Sequence, residues 1–170
     1  IFVLLIFELS RMLAGPIAAR IAALYAAIPP VALIEWSTKA RGGFIELIVI
    51  GTLALICAVR WLRHGRDPVA LTALTGLLLG LGWWVNNQII FFLLPIGLYF
   101  LLGLVRRGVV AVFLHLAVGL VAFLAGGLPF WIYNLNHEFA SFGMFGTAEL
   151  HDIGRQILGM LTVSLPMLVG

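Results

Sequence analysis

Apolar runs separated by short polar stretches set the pattern of this chain. Ile1 to about Leu13 reads as the tail of a first membrane span, ending near Arg11, and about Ile17 to Trp36 as a second. Phe44 to Leu62 is a third, Pro68 to Val85 a fourth, Ile89 to Leu104 a fifth and Val109 to Tyr133 a sixth. A seventh begins at about Gln156 and runs to Gly170. A hydrocarbon layer of about 30 Å asks for apolar helices of about 20 residues. The expected fold is therefore all-α, a polytopic transmembrane helical bundle of about six to seven spans, with the terminal ones truncated.

Local signals refine these runs. Pro29-Pro30 removes two backbone donors inside the second span and must kink or break it. Asp67-Pro68 offers a cap and a first helical residue for the fourth. The fourth and fifth spans reach only roughly 27 and 24 Å at 1.5 Å per residue. Asn86-Asn87-Gln88 alone joins them, which predicts a tight antiparallel hairpin. A re-entrant hairpin would put Arg106-Arg107 on the same side as Asn134, against the charge pattern described below. Gly76, Gly80 and Gly82 recur along the fourth span, and Gly119, Gly126 and Gly127 along the sixth. Small residues let helix backbones approach closely, so these are expected at helix contacts.

Composition supports the membrane reading. Of 170 residues, 63% are hydrophobic and 10% charged, with a mean hydropathy of +1.16. Soluble domains sit near 45–50% apolar and about 25% charged, so the excess needs lipid as solvent. The pI near 9.6 is no argument for nucleic acid, because the basic residues form no stripe and have no aromatic interleaving. Cys57 stands alone in an apolar run, which excludes an intrachain disulfide and leaves packing as its role. The chain starts at Ile1 and closes on Leu168-Val169-Gly170 within apolar runs. Ile1 to Leu9 has no basic leader and no small-residue cleavage site. Both ends read as cut, so residues 1–170 are expected to be part of a single transmembrane domain.

Charge assigns the sides. Arg11, Arg20, Arg60, Arg63, Arg66, Arg106 and Arg107 fall on one set of connections, and Lys39, Arg41 and Arg155 on the other. Cytoplasmic loops carry the excess of Lys and Arg, so the first set faces inward. The second set holds most of the polar chemistry and faces the periplasm or cell exterior.

That outer set contains three constellations. Glu35 to Glu46 places Lys39, Arg41, Gly42 and Gly43 just before a helix N-terminus. Free N–H groups and a positive helix end favour an anion there, and a lipid phosphate is the anion at that depth. Snorkelling Lys39 and Arg41, with Glu46 complementing the dipole, would be an ordinary interfacial turn. Trp83-Trp84 with Asn86, Asn87 and Gln88 is either an aromatic belt or a set of amides for sugar hydroxyls beside a stacking ring. Pro129 to Phe142 interleaves aromatic residues with Asn134, His137 and Glu138. His137 with Glu138, like His151 with Asp152, suits acid–base work or metal binding. No HxxxH or HExxH spacing exists, however, so no metal site is assigned. His64 and His115 have no evident partner in the sequence and read as structural. No Walker loop, GxSxG, dinucleotide fingerprint or CxxC is present.

The order of these stretches resembles the bacterial integral-membrane glycosyltransferases of the protein-mannosyltransferase type, family 39 of the GT-C superfamily. The resemblance rests on Lys39-Ala40-Arg41-Gly42-Gly43-Phe44-Ile45-Glu46, on Gly80-Leu81-Gly82-Trp83-Trp84 through Gln88 to Leu94-Pro95, and on Pro129 with Tyr133-Asn134-Leu135 and His137 to Phe142. It covers most of Gly15 to Phe142, and its last stretch is the most specific. It implies an enzyme that moves a sugar from a polyprenyl-phosphate carrier to an acceptor glycan, lipid or protein on the extracytoplasmic face of a bacterial inner membrane. It also implies that the catalytic carboxylate lies upstream of Ile1, so that this stretch alone is inactive. Lys39, Arg41, Gly42 and Gly43 would then hold the donor phosphate. Glu46, Trp84, Asn87, Gln88, Asn134, His137 and Glu138 would contact substrate or support those contacts. No ligand motif for a divalent metal is present, and the cofactor stays open. A transporter or lipid flippase is the alternative, and a non-catalytic membrane subunit a further one. A transporter should carry ionisable residues near mid-membrane or paired broken helices, and here only His115 and Pro29-Pro30 qualify.

Overall fold

A computed structural model describes residues 1–28, 34, 42–63, 68–105, 108–143 and 158–164. Among these residues there are helices and turns and no strand. The helices are α1 (Phe2–Ala27), α2 (Phe44–Arg63), α3 (Val69–Val85), α4 (Ile90–Val105), α5 (Val109–Gly126), α6 (Leu128–Asn136) and the short α7 (Ala140–Gly143). A 3-10 turn, Asn87–Ile89, precedes α4, and a π turn covers Met160–Ser164. The described residues are all-helical, and α1, α2 and α5 are each long and apolar enough to cross a membrane. Val69–Val85 and Asn87–Gly103 are apolar but shorter.

The described residues depart from the expected six to seven spans in two places. The first two expected spans meet directly, as two helices joined across a kink at Gly15, between the expected boundaries at Leu13 and Ile17 and with no polar loop. Gly15 takes φ 87° and ψ −178°, a region open essentially to glycine alone. A Cβ there would meet nothing within 4 Å, so the backbone angle, not space, demands glycine. The expected sixth span ends early. Gly127 leaves the helix at φ −92°, ψ 13°, and Pro129 in the first turn of α6 starts a new one. Proline fits a first turn and cannot continue an existing helix. The expected seventh span lies mostly outside the described residues, as do Pro29, Pro30, His64 and Asp67. One cap also moves: α3 starts at Val69 with Pro68 as its N-cap, one residue later than the Asp67-Pro68 pair suggests. The Pro68 carbonyl accepts from the amides of Leu71 and Thr72.

α2 is the inner helix. Half of its apolar window is buried, against 6% for α1 and α5, and α1, α3 and α4 all pack on it. Phe100 of α4 stacks on Trp61 of α2 at 4.3 Å between ring centroids. α3 packs most extensively against α5, and glycines make that contact. A Cβ on Gly76 would overlap the Gly119 carbonyl oxygen, one on Gly80 that of Phe123, and one on Gly126 that of Leu77. Lipid gives no hydrophobic drive for two helices to meet, so this backbone proximity is what holds them.

The two ends of the bundle differ. At one, Glu8 of α1 accepts two hydrogen bonds from Arg11, each 2.9 Å, and one from Arg60 of α2 at 3.1 Å. Arg11 and Arg60 therefore share an end, as the charge pattern requires. At the other end the start of α2 meets the end of α3.

Candidate functional site

The start of α2 is shaped by two glycines. Gly43 has φ 83°, and its carbonyl accepts from the Leu47 amide at 2.8 Å to begin the helix. A Cβ on Gly43 would lie 2.8 Å from both Cγ1 and the carbonyl oxygen of Val85. Glycine is thus required twice, for the left-handed angle and for the close approach to α3. Asn86 Nδ2 donates to the Gly42 carbonyl at 3.4 Å, across the same junction. Glu46 is exposed in the first turn of α2, where a carboxylate complements the helix dipole. Lys39 and Arg41 lie outside the described residues, as do Glu35, Trp36, His151 and Asp152.

The α3–α4 connection divides its polar residues between two tasks. Asn86 takes extended backbone angles, and its side chain accepts from the Gln88 amide at 2.9 Å, capping the 3-10 turn. Asn87 is half-buried and Gln88 exposed. The tryptophan pair divides likewise. Trp84 is exposed, while Trp83 packs inward, edge to face with Phe123 and Phe130 at 6.1 and 6.0 Å.

Phe130 links this junction to the third constellation. It also meets Trp131 at 5.1 Å and Phe142 at 5.8 Å, both edge to face. Such geometry sets the positive edge of one ring on the negative face of the next. Asn134, four residues on, is fully buried. Its Nδ2 donates to the Phe130 carbonyl at 2.9 Å, and its Oδ1 accepts from the Ser141 amide at 3.2 Å. Its backbone carbonyl accepts from the amides of His137 and Phe139. Asn134 therefore ties the end of α6 to α7 and presents nothing to a substrate; its part is to shape the turn.

His137 and Glu138 ride on that turn, both exposed. His137 Nδ1 lies 2.8 Å from the Tyr133 carbonyl, and its ring stacks on Tyr133 at 4.1 Å and 15°. Glu138 and Phe139 take φ 52° and 59°. Side-chain-bearing residues are uncommon there, and a bulky one such as phenylalanine is an outlier held only by its surroundings.

The structure thus brings Gly42, Gly43, Trp84, Asn87, Gln88, Asn134, His137 and Glu138 to one end of the helices. Asn86, grouped in the sequence with the amides for sugar hydroxyls, bonds the Gly42 carbonyl and the Gln88 amide instead, and the ring of Tyr133 beneath His137 was not evident from the sequence. The polar run of Asn86 to Gln88 carried the first signal, since asparagine side chains bond the backbone two residues on. No group of three or more His, Cys, Asp or Glu fit to hold a metal occurs among the described residues.

A separate cavity of about 360 Å³ opens between α3, α4 and α5, lined by Thr72, Thr75, Leu79, Ile96, His115 and Phe123 among others. It holds the partner that the sequence did not reveal for His115. The buried ring stands 2.6 Å through Nδ1 from Thr72 Oγ1 and edge-on to Trp61. The chain matches no family model, no curated protein and no solved structure.

Proposed function

We propose that this chain is the donor-binding part of a GT-C-like glycosyltransferase of a bacterial inner membrane. It would take a sugar from a polyprenyl-phosphate carrier and pass it to an acceptor on the periplasmic or extracellular face. The observation that carries this reading is the junction of the α2 N-terminus with the amide turn, through Gly42 and Asn86, with Lys39 and Arg41 in the sequence leading into α2 and the His137 turn following the Phe130 that packs on Trp83. An N-terminus preceded by cations and glycines suits a phosphate. Amides, an exposed tryptophan and a histidine suit a sugar.

In the reaction, the acceptor oxygen bonds to the anomeric carbon as the bond from that carbon to the phosphate oxygen breaks. The electron pair leaves with the phosphate and the configuration inverts. The acceptor proton goes to a carboxylate base. Lys39, Arg41 and the α2 N-terminus meet the charge that develops on the departing phosphate, where preorganised positive charge lowers the barrier most.

Binding tests this without requiring turnover. The chain in liposomes is exposed to a photoreactive polyprenyl-phosphate sugar and illuminated. Capture that unlabelled polyprenyl phosphate competes away, and that Arg41→Ala weakens at least about tenfold, is expected. Equal capture by the wild type and Arg41→Ala, with equal amounts of folded protein, removes the assignment. The His115–Thr72 pair beside a cavity within the helices favours the second reading, a transporter or lipid flippase, because buried ionisable residues mark transport paths. Under that reading, Thr72→Val slows movement of a labelled lipid across the bilayer and leaves carrier capture unchanged.

A further inference from the structure

We infer that the His137–Glu138 turn is a subsite for a neutral, hydroxyl-rich sugar ring, an assignment that rests on the glycosyltransferase reading and names the part of the substrate this turn meets. A carbonyl oxygen only accepts, so Nδ1 of His137 carries the proton it donates to Tyr133 at 2.8 Å. In the neutral ring Nε2 then holds a lone pair, and the residue is exposed. The stack on Tyr133 fixes the ring plane. The adjacent Glu138 adds a carboxylate that also only accepts. The turn therefore offers two exposed hydrogen-bond acceptors, with the His137 ring held by Tyr133, and a sugar supplies hydroxyl donors.

Other ligand classes fit less well. An anion is repelled by Glu138. A metal finds no third ligand among the described residues. An apolar ligand leaves both acceptors without donors. Tyr133 and Phe139 are each about half exposed, and aromatic surface of this kind suits the C–H face of a pyranose. Two consecutive side-chain-bearing residues in the left-handed region show that the turn is held against its own preference. Asn134 does the holding, through Phe130 and Ser141. Strain of this kind persists where the surrounding structure over-determines it, and it concentrates at functional sites.

The experiment uses the whole chain in nanodiscs with ¹⁵N-histidine. In the absence of ligand, the His137 ring should carry its proton on Nδ1. Methyl α-D-glucoside and methyl α-D-mannoside are then titrated, and the Nε2 resonance should shift saturably with at least one of them. His137→Phe keeps the stack and removes the acceptor. It should raise the half-saturating sugar concentration about tenfold, as loss of one hydrogen bond predicts, read from the Trp131 indole resonance. A proton found on Nε2, or an Nε2 resonance unmoved by both sugars, overturns the subsite. Capture of polyprenyl phosphate bearing no sugar is measured in parallel. Capture without a sugar response overturns this inference alone, whereas loss of both overturns the functional reading as well. Where the sugar binds, competition with the carrier-linked sugar assigns the subsite to the donor, and simultaneous binding assigns it to the acceptor.

Discussion

The glycine contact between α3 and α5 makes the sharpest test of the fold, through two substitutions of opposite sign. In Gly80→Leu the new Cβ would overlap the Phe123 carbonyl oxygen and stand 2.8 Å from its carbon and 2.9 Å from the Gly127 nitrogen. These neighbours are backbone, so no side chain can swing aside and the helices must part. Carbon atoms prefer about 3.5–4.0 Å, and each pair at that distance contributes about 0.1–0.2 kcal/mol. Losing about 30 such pairs costs roughly 4–5 kcal/mol. Leucine returns about 1 kcal/mol of helix propensity over glycine. The net loss is about 3 kcal/mol, within the usual range for an overfilled contact. In Gly97→Leu, on α4, nothing lies within 4 Å of the new Cβ, so only the propensity gain of about 1 kcal/mol remains. Reversible unfolding in mixed micelles, titrated with SDS and followed by tryptophan fluorescence, reads both. The reasoning fails if the two variants unfold within about 0.5 kcal/mol of each other, since their difference is set at about 4 kcal/mol by the contacts alone.

Three further outcomes follow. Gly15→Ala should cost roughly 1–3 kcal/mol in the same titration, because alanine is strained at this φ although the space around it is open. Asn134→Leu should cost about 1–3 kcal/mol by leaving the Ser141 amide without its acceptor; hydrogen exchange at Ser141 should accelerate while exchange in α2 stays unchanged. Thr72→Val takes the hydroxyl from the buried His115 ring and should cost about 1–3 kcal/mol, with the perturbation of ring resonances confined to His115, Trp61 and Phe100.

Helices bounded by turn residues were legible in the sequence to within a residue or two. The expected Phe44–Leu62 and Pro68–Val85 are observed as Phe44–Arg63 and Val69–Val85, because glycine, proline or polar runs flank them. The break at Gly15 falls between the expected ends at Leu13 and Ile17, where glycine, proline and arginine interrupt the apolar run. The break at Gly127 was not legible, because that glycine reads from sequence as one more small packing residue. The different environments of Trp83 and Trp84 were available in the spacing. Gly76, Gly80 and Trp83 stand at i, i+4 and i+7, which puts Trp83 on the glycine face against α5 and turns Trp84 away. The contact of Asn134 with Ser141 was not available, since it depends on two left-handed residues that no propensity favours.

The polar residues at this end therefore divide by what already occupies them. Asn86 and Asn134 spend their side chains on the Gly42 carbonyl, the Gln88 amide, the Phe130 carbonyl and the Ser141 amide. Gln88, Glu46, His137 and Glu138 remain exposed. A buried amide that loses a partner leaves a costly gap, so changing the first group alters the shape on which the second depends. Changing Gln88, Glu46 or Glu138 leaves the backbone intact and alters only what they meet, whereas His137 also holds the Tyr133 carbonyl and ring. A ligand that binds here should lose affinity with either group, while hydrogen-exchange protection falls only with the first. Polarity at a span end, the feature that marked all of these positions in the sequence, does not separate the two groups; partner geometry does.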